Sequence, residues 1–351
     1  MIVTRTPFRV TLGGGGTDLP SYYERFGGHV LAMAIDKYMY VAMNPPLVDR
    51  RIRVKYTKSE TVDRPEDLGH ELVREALIRH GILSRMEISS IADLPSGTGL
   101  GSSSAFLVGL LTAIRAYRRE PCSLSELAEE ACAIELETLR KPIGKQDQYL
   151  AAFGGITVLD IARDGRVDVR VVRTNTASLA DFTANTHLYW TGVARSTPAV
   201  LRDQDAAMRD ESSPDHAVVR DALHRIKEIG CRIVEAFEAQ EYDEFGRLMD
   251  EHWRCKKELS PKIAIPGIDA LYAEIKERFG VLGAKLSGPG GGGFLMVYAP
   301  GKHRELTEFM DRHGLSRMHY DLEFEGSKVI SNTSSSSSGL LDHGPASGEE
   351  P

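Results

Sequence analysis

Residues 95–104 read Pro-Ser-Gly-Thr-Gly-Leu-Gly-Ser-Ser-Ser, and they restrict the fold of this chain more than any other segment. A short strand pattern at residues 86–92 precedes them, and a strongly apolar helical pattern at residues 102–117 follows them. Glycine at every second position allows successive backbone N–H groups to converge, and a helix N-terminus adds the positive end of its dipole. The segment therefore predicts a strand–loop–helix unit that cradles a phosphate, with serine hydroxyls available to the phosphate or to Mg²⁺.

Two other interpretations of this loop stay open from the residues alone. A serine-rich helix start without a ligand is the simpler one. A dinucleotide-binding loop is the other, because Gly97, Gly99 and Gly101 resemble a G-x-G-x-x-G sequence. The third glycine is misplaced for that motif, however, and the loop lies about 95 residues into the chain instead of in an initial βαβ unit. No G-x-x-x-x-G-K-[ST] sequence and no protein-kinase H-R-D or D-F-G set occurs, which excludes the P-loop and protein-kinase routes to ATP.

Two further glycine loops occur near the two ends of the chain. Residues 13–16 are four consecutive glycines that follow a strand pattern and precede Thr17 and Asp18. Residues 288–293 read Gly-Pro-Gly-Gly-Gly-Gly and precede another strand pattern. Either loop alone indicates no more than a tight turn or a bulge. Three such loops in one chain are much harder to dismiss as turns without a ligand.

Length, charge and cysteine usage exclude several classes of protein. A chain of 351 residues suggests two domains at about 100–200 residues each. Its 43 Lys and Arg against 50 Asp and Glu give a formal charge of −7, which argues against nucleic acid as a bulk electrostatic partner. No apolar run reaches the roughly 18 residues of a membrane span. Four dispersed cysteines without a C-x-x-C pair are typical of reduced thiols, so we expect a cytoplasmic protein without a membrane or nucleic-acid partner.

Periodicity divides the chain near residue 180. Strand and helix patterns continue up to a predicted hairpin at residues 156–173, and a polar stretch at residues 174–185 follows as a plausible boundary. We therefore expect domains at residues 1–180 and 181–330. Residues 331–351 are rich in serine, glycine and proline without apolar periodicity, which predicts a disordered tail.

Two acidic residues lie between the second and third loops. Glu135 belongs to a predicted helix that opens with a capping box at residues 123–126, and Asp147 follows twelve residues later. An Asp beside a glycine at a helix start is usually an N-cap. The functional interpretation is a general base at Asp147 with Glu135 as a Mg²⁺ ligand, and spacing alone does not decide between the two.

Together these features resemble the GHMP kinases, the superfamily of galactokinase, homoserine kinase and mevalonate kinase. The loop at residues 95–104 matches the superfamily's Pro-x-Gly-x-Gly-Leu-Gly-Ser-Ser-Ser/Ala signature at every fixed position. The first and third glycine loops resemble its substrate motif and its closing glycine-rich motif. The resemblance covers roughly residues 1–328. It implies an α+β fold of two domains, in which the N-terminal domain carries the nucleotide loop and the C-terminal domain is ferredoxin-like.

Within the superfamily, the chain looks like the D-glycero-D-manno-heptose 7-phosphate kinases. Three segments carry this resemblance: residues 5–20, residues 142–149, and residues 252–260 with 282–286. It implies an ATP-dependent kinase that phosphorylates the anomeric hydroxyl of a heptose 7-phosphate to give heptose 1,7-bisphosphate. Pro289 departs from the small residue usual in the third loop. A fucokinase-like or galactokinase-like kinase for an unphosphorylated sugar and a non-catalytic sugar sensor are the alternatives, and the sugar stereochemistry, the anomer and the pathway stay open.

The resemblance also implies roles for single residues, with ATP and Mg²⁺ as cofactors. Asp147 is the expected catalytic base, Arg9 the arginine near the transferred phosphate, and Ser103 and Glu135 the expected metal ligands. The expected nucleotide-binding residues are Pro95, Gly97, Gly99, Leu100, Gly101, Ser102, Ser103 and Ser104. The expected substrate-binding residues are Gly15, Gly16, Thr17, Asp18, Arg195, Lys256, Gly290 and Gly291. The implied partners are ATP and a phosphosugar, and a homo-oligomer is left open.

Overall fold

The computed structural model describes residues 1–172, 174–194 and 198–333. Within them, eight strands form one mixed sheet and four form a second, antiparallel sheet. The first sheet contains β1 (Ile2–Gly13), β2 (Gly28–Asn44), β3 (Ile52–Lys55), β4 (Ser59–Val62), β5 (Met86–Ala92), β6 (Ile156–Ile161), β7 (Val167–Val171) and β12 (Lys328–Asn332). The second sheet contains β8 (Thr186–Trp190), β9 (Gly283–Leu286), β10 (Phe294–Tyr298) and β11 (Arg317–Met318).

Helices cover these sheets, and none in the described part of the chain is long and apolar enough to cross a membrane. A π-helical turn, Ala133–Thr138, continues directly from the fourth α-helix. The α-helices are α1 (Pro20–Phe26), α2 (Glu71–Arg79), α3 (Ser102–Arg118), α4 (Leu124–Cys132), α5 (Gln146–Phe153), α6 (Thr176–Asn185), α7 (Pro198–Arg209), α8 (His216–Glu238), α9 (Tyr242–Lys257), α10 (Ile268–Phe279) and α11 (His303–Arg312).

Helix α3 is the central helix of the first half, and it packs on β1 and β2. Its residues 104–111 are all buried, which is the placement expected of a helix that is apolar on almost every side. Gly109 permits the close approach to β1, because a Cβ atom there would lie 2.7 Å from Thr6 Oγ1. The packing fixes the N-terminus of α3, and with it the glycine loop at residues 95–101.

The second sheet has the strand order β11-β8-β10-β9. Numbered along the chain, this is the order 4-1-3-2 of a ferredoxin-like sheet. Helices α8 and α9 pack against each other, α9 packs on β9, and α8 also contacts β1 and β2 of the first sheet. The prediction of an α+β fold with a ferredoxin-like second unit is confirmed.

The polar stretch at residues 174–185 is not a linker, because it forms helix α6. Asn175 caps this helix by accepting a hydrogen bond from the backbone N–H of Ser178 at 2.7 Å. Leu179 and Phe182 form its buried face, so two apolar residues suffice to dock an otherwise polar helix. The two sheets separate between β7 and β8, and the boundary at residue 180 stays a prediction that falls within α6.

The last described segment returns to the first sheet. Met318, Tyr320, Leu322 and Phe324 alternate with polar residues, which predicts a strand at residues 318–324. That prediction is wrong in extent, because the described residues of this segment form only β11 and a single bridge between Leu322 and Ile35. Strand β12 then pairs with β1, so that Ser331 and Asn332, which were predicted to lie in the tail, are paired in a sheet. The rest of the predicted tail, residues 334–351, lies outside the described residues.

Candidate active site

The glycines of the 95–101 loop are required by its backbone conformation. Gly97, Gly99 and Gly101 have φ angles of 82°, 77° and 82°. Residues with a Cβ atom avoid this region, whereas glycine adopts it without strain. A Cβ atom on Gly99 would in addition lie 2.9 Å from the carbonyl oxygen of Ser287, which immediately precedes the third glycine loop. The second and third loops therefore pack directly on each other, although Gly99 and Ser287 are 188 positions apart in sequence.

This loop forms one wall of an open cleft, here called the glycine-loop cleft. An adjoining pocket contains Pro95 and the rings of Tyr56, His70 and Phe106. Leu100, another predicted nucleotide-binding residue, does not line the cleft, because its side chain is fully buried. Its backbone carbonyl accepts a hydrogen bond from the backbone N–H of Arg9 at 3.1 Å. The cleft is lined by Gly97, Gly99, Gly101, Ser102, Ser103 and Ser104 of the loop and by Glu135, Arg140, Lys141 and Asp147 from facing segments.

Glu135 is completely buried beside the start of α3. Its carboxylate accepts hydrogen bonds from Ser103 Oγ at 3.2 Å, Ser104 Oγ at 2.6 Å and Gln148 Nε2 at 2.7 Å. Lys141 Nζ lies 3.5 Å from the Oε1 atom that Ser103 contacts. Burial raises the pKa of this carboxyl, while Lys141 and the hydrogen bonds oppose that rise.

Ser103 and Glu135 together fit the predicted metal site by the chemistry of their donor atoms. A serine hydroxyl and a carboxylate are the hard oxygen ligands that Mg²⁺ prefers, and they face the cleft that the glycine loop lines. Within the described residues, no group of three or more His, Cys, Asp or Glu side chains could hold a metal ion. Two protein oxygens are nevertheless enough for a Mg²⁺ ion that keeps waters and binds mainly to substrate phosphates.

Arg9 and Asp147 form an ion pair at the inner end of the cleft. Arg9 Nε donates to Asp147 Oδ1 at 2.7 Å, Arg9 Nη2 lies 2.6 Å from the same oxygen, and Arg9 Nη1 donates to the carbonyl of Gly99 at 2.7 Å. The side chain of Arg9 is 6% exposed and that of Asp147 24%. Lys145, not Asp147, occupies the N-cap position of α5. The interpretation of Asp147 as a helix cap is therefore wrong.

A second cavity, here called the inner cavity, lies on the other side of this ion pair. Arg9, Asp147, Ile143 and Pro289 line both the inner cavity and the glycine-loop cleft, so the pair stands where the two spaces meet. The other polar side chains and backbone that line the inner cavity include Thr11, Gly15, Gly16, Asp18, Gln146, Gln204, His252, Lys256 and Lys285.

Asp18 is buried at the wall of the inner cavity. Its carboxylate accepts the backbone N–H of Gly16 at 3.0 Å and that of Gln146 at 3.2 Å. Burial raises its pKa, and these backbone N–H groups oppose the rise. Gly144 packs against it so closely that a Cβ atom there would lie 1.9 Å from Asp18 Oδ2. The backbone on both sides thus fixes the position of the carboxylate.

Three of the predicted substrate-binding residues do not face the inner cavity. The hydroxyl of Thr17 is fully buried and accepts the backbone N–H of His29 at 3.0 Å, so it holds the first glycine loop together. Gly290 and Gly291 pack on Ile263 instead: the N–H of Gly291 donates to the Ile263 carbonyl at 2.8 Å, and a Cβ on Gly290 would meet Ile263 Cγ2 at 2.8 Å. Glycine spacing alone could not distinguish a ligand contact from this close packing.

Lys256, one of the expected substrate-binding residues, reaches the inner cavity from α9. Its ammonium donates to the carbonyls of Leu286 at 2.9 Å and of Gly288, and an ammonium retains a third N–H for a ligand. Burial, together with the charge of Arg9, lowers the pKa of Lys256 to about 7. Its neighbour Lys257 points elsewhere and pairs with Asp269 at 2.9 Å.

Sequence reasoning missed Lys285 as a site residue. Lys285 Nζ donates to the carbonyl of Leu12 at 2.6 Å, and burial lowers its pKa well below the ordinary value. The available signal was a lysine inside the otherwise apolar strand β9, because a buried lysine is rare without a partner or a function. Arg195, the remaining predicted cation, lies outside the described residues.

Family models match two parts of the chain. The model described as GHMP kinases N terminal domain matches residues 70–155, which include the glycine loop at residues 95–101 and Glu135. The model described as GHMP kinases C terminal matches residues 233–314, which include α9 and the third glycine loop. Both matches include residues that line the inner cavity, Gln146 and Asp147 in the first and Lys256 and Lys285 in the second.

Curated relatives cover most of the chain at low identity. A D-glycero-alpha-D-manno-heptose 7-phosphate kinase from Campylobacter jejuni is 27% identical over 85% of this chain and 89% of its own length. A galactokinase from Roseiflexus is 26% identical over 91% of this chain and 88% of its own length. An L-fucokinase/L-fucose-1-P guanylyltransferase from Bacteroides fragilis is 26% identical over 84% of this chain, which spans only 34% of that protein.

Solved structures share the fold over nearly the whole length. The structure of a D-glycero-D-manno-heptose 1-phosphate kinase from Bacteroides thetaiotaomicron superposes with a TM-score of 0.77, 22% identity and coverage of 95% of this chain and 100% of that one. A galactokinase from Lactococcus lactis complexed with galactose gives a TM-score of 0.69 at 16% identity, over 94% and 95% of the two chains. With both family models matched on one shared fold, the chain belongs to the GHMP kinase superfamily.

Proposed function

We propose that this chain is an ATP-dependent sugar kinase that phosphorylates the anomeric hydroxyl of a heptose 7-phosphate. The observation that carries the proposal is the position of the Arg9–Asp147 pair, which lines both the glycine-loop cleft and the inner cavity. A phosphoryl donor in the cleft and a hydroxyl acceptor in the cavity would meet at this pair. The similarity to a heptose 7-phosphate kinase supports the choice of sugar.

In this proposal the cleft binds ATP through the backbone of the 97–101 loop and the N-terminus of α3. Phosphoryl transfer requires in-line positioning and stabilisation of charge more than covalent chemistry by the protein. Asp147 accepts or orients the proton of the attacking hydroxyl. Arg9 holds Asp147 through two nitrogens and places its positive charge beside the transferred group.

The sugar occupies the inner cavity, where Asp18 accepts hydrogen bonds from its hydroxyls. A carboxylate offers two oxygens to adjacent hydroxyls and suits a polyol. Gly15 and Gly16 line the same wall and let the sugar approach the backbone closely. The remote phosphate is held by Lys256, with Arg195 as the second predicted cation.

Ser103 and Glu135 hold Mg²⁺ in this proposal, and the ion would neutralise charge on the ATP phosphates. We expect Ser103→Ala and Glu135→Gln each to shift the Mg²⁺ titration of activity to higher concentration, because each removes a hard oxygen ligand. Glu137→Gln is the matched control, since Glu137 lies on the same helical turn but is exposed. Titration curves for Ser103→Ala and Glu135→Gln that coincide with those of the wild type and of Glu137→Gln would refute the metal assignment.

Lys256 gives a pH prediction. With its pKa lowered to about 7, it is charged below that pH and loses its charge as the pH rises. The KM for the phosphosugar should therefore rise between about pH 7 and pH 9 in the wild type. Lys256→Met should have a high KM with a flatter profile, while Lys257→Met should follow the wild type. Parallel profiles for Lys256→Met and the wild type would exclude a charge contribution of Lys256 to substrate binding.

The decisive experiment for the proposal is a comparison of acceptor sugars in a coupled assay of ADP release. Because a charge-assisted contact is worth about 1.5–3 kcal/mol, kcat/KM for heptose 7-phosphate should exceed that for heptose by at least ten- to a hundredfold. Isomers of heptose 7-phosphate, fucose and galactose complete the panel. Equal kcat/KM for heptose and heptose 7-phosphate would overturn the phosphosugar assignment.

A kinase for an unphosphorylated sugar is the second candidate. The similarity to a galactokinase and to a fucokinase domain favours it. Lys256 and Lys285, the two lysines of the second half of the chain that line the inner cavity, also donate to backbone carbonyls. Each lysine therefore has fewer N–H groups left for a sugar phosphate. Turnover of galactose or fucose without any gain from a sugar phosphate would support this candidate in the same assay.

A further inference from the structure

His252 is a buried side chain with unfilled hydrogen-bonding capacity at the inner cavity. It lies on α9, one turn before Lys256, and is 2% exposed. Neither Nδ1 nor Nε2 has a hydrogen-bonding partner among the residues that the structure describes. Both nitrogens belong to a side chain that lines the cavity. Buried polar atoms without a partner are uncommon in folded proteins and call for an explanation.

Another buried histidine of this protein shows the ordinary arrangement. His187, on β8, is also fully buried. Its Nδ1 lies 2.9 Å from the hydroxyl of Tyr189 and its Nε2 lies 3.1 Å from the carbonyl of Ala184. Both ring nitrogens of His187 are thus satisfied within the protein. The contrast indicates that His252 is built to pair with a group that enters the cavity.

The charges around His252 restrict what that group can be. Burial and the ammonium groups of Lys285 and Lys256 lower its pKa well below the ordinary value, so the imidazole is neutral. A neutral imidazole presents one N–H donor and one nitrogen acceptor. A hydroxyl can accept from the N–H of the ring or donate to its other nitrogen, whereas an anion can pair only with the N–H. The two lysines are better suited than His252 to an anionic group.

We propose that His252 recognises a hydroxyl of the sugar and makes the enzyme discriminate between that sugar and its deoxy analogue. This inference rests on the proposed binding of the sugar in the inner cavity. A site that hydrogen-bonds a substrate hydroxyl strongly rejects the analogue that lacks it, because the buried protein group is then left unpaired. His252 is therefore a specificity-determining residue on the sugar side, and it has no part in ATP binding.

The test compares a series of monodeoxy sugars on the wild type and on His252→Leu. In the wild type, one deoxy position should lower kcat/KM by about 10- to 100-fold. In His252→Leu that same position should cost less than about threefold, while the penalties at other positions persist. Equal penalties at every position in both enzymes would overturn the proposal. If heptose 7-phosphate is not a substrate, the monodeoxy analogues are those of the sugar that the enzyme does phosphorylate. A failure of the proposed substrate can then be distinguished from a failure of the role proposed for His252.

Two further measurements separate recognition from a structural role. His252→Leu should leave the Tm of the sugar-free protein unchanged or higher, because it removes an unsatisfied buried polar group, and the KM for ATP should not change. A lower Tm together with a raised KM for ATP would indicate a structural histidine and contradict the proposal. In His252→Asn the side-chain amide lies near the position of Nδ1, and in His252→Gln it lies near the position of Nε2. One of these two variants should therefore restore part of the discrimination, even if His252→Leu folds poorly. Failure of both to restore any of it would also count against the proposal.

Discussion

Asp147→Asn should lower kcat by about 10²–10⁴-fold and leave the Kd for ATP nearly unchanged. The amide keeps the size of the side chain and an oxygen that can accept from Arg9, but it removes the basic carboxylate. Arg9 also donates to the Gly99 carbonyl at 2.7 Å, so its position does not depend on Asp147 alone. The measurements are steady-state kinetics for kcat and calorimetry for ATP binding.

The matched control for this prediction is Asp168→Asn. Asp168 lies on the exposed strand β7 and pairs with Arg166 at the surface. The same carboxylate-to-amide change there should leave kcat unchanged within experimental error. An Asp147→Asn enzyme with near-normal kcat would mean that Asp147 serves only to hold Arg9, and the proton would have to be accepted elsewhere.

Gly144→Ala should reduce kcat/KM for the sugar by about 100-fold or more, with little change in the KM for ATP. The added Cβ would lie 1.9 Å from Asp18 Oδ2, a distance that no adjustment of the methyl group can relieve. Asp18 must therefore move, against the two backbone N–H groups that hold its carboxylate. A displacement of about 1 Å in a positioning group can cost about 10²-fold.

Gly301→Ala provides the same chemical change without the contact. A Cβ at Gly301 meets nothing within 4 Å, so this variant should have wild-type kinetics and Tm. Gly144→Ala should also have a lower Tm, because the clash is inside the folded protein. Wild-type kinetics for the sugar in a folded Gly144→Ala enzyme would show that the position of Asp18 is not important for the sugar.

A helix or strand could be predicted from the sequence wherever the residue pattern allows only one structural interpretation. The strand at Met86–Ala92 and the start of α3 at Ser102 follow from residue alternation and from a glycine loop that ends at an apolar run. Helix α6 was missed because only Leu179 and Phe182 mark its buried face. The alternation near Leu322 was misread as one strand, because its residues contact different sheets in turn.

The sequence alone predicted a strand, a glycine loop and a helix in succession at residues 86–117, and the resemblance to the GHMP kinases implied the two-domain fold and a common site for Asp147, Arg9 and Glu135. These predictions depend on short segments in which glycines and charged residues occur in an unusual combination. The tertiary structure decided which residues face the inner cavity. Lys285 and Gly144 belong to the site, and Thr17, Gly290 and Gly291 do not line it, because the packing of three distant glycine loops sets those orientations. Spacing along the chain carries no record of that packing, since the contacts of Lys285 with Leu12 and of Gly144 with Asp18 join segments more than one hundred residues apart.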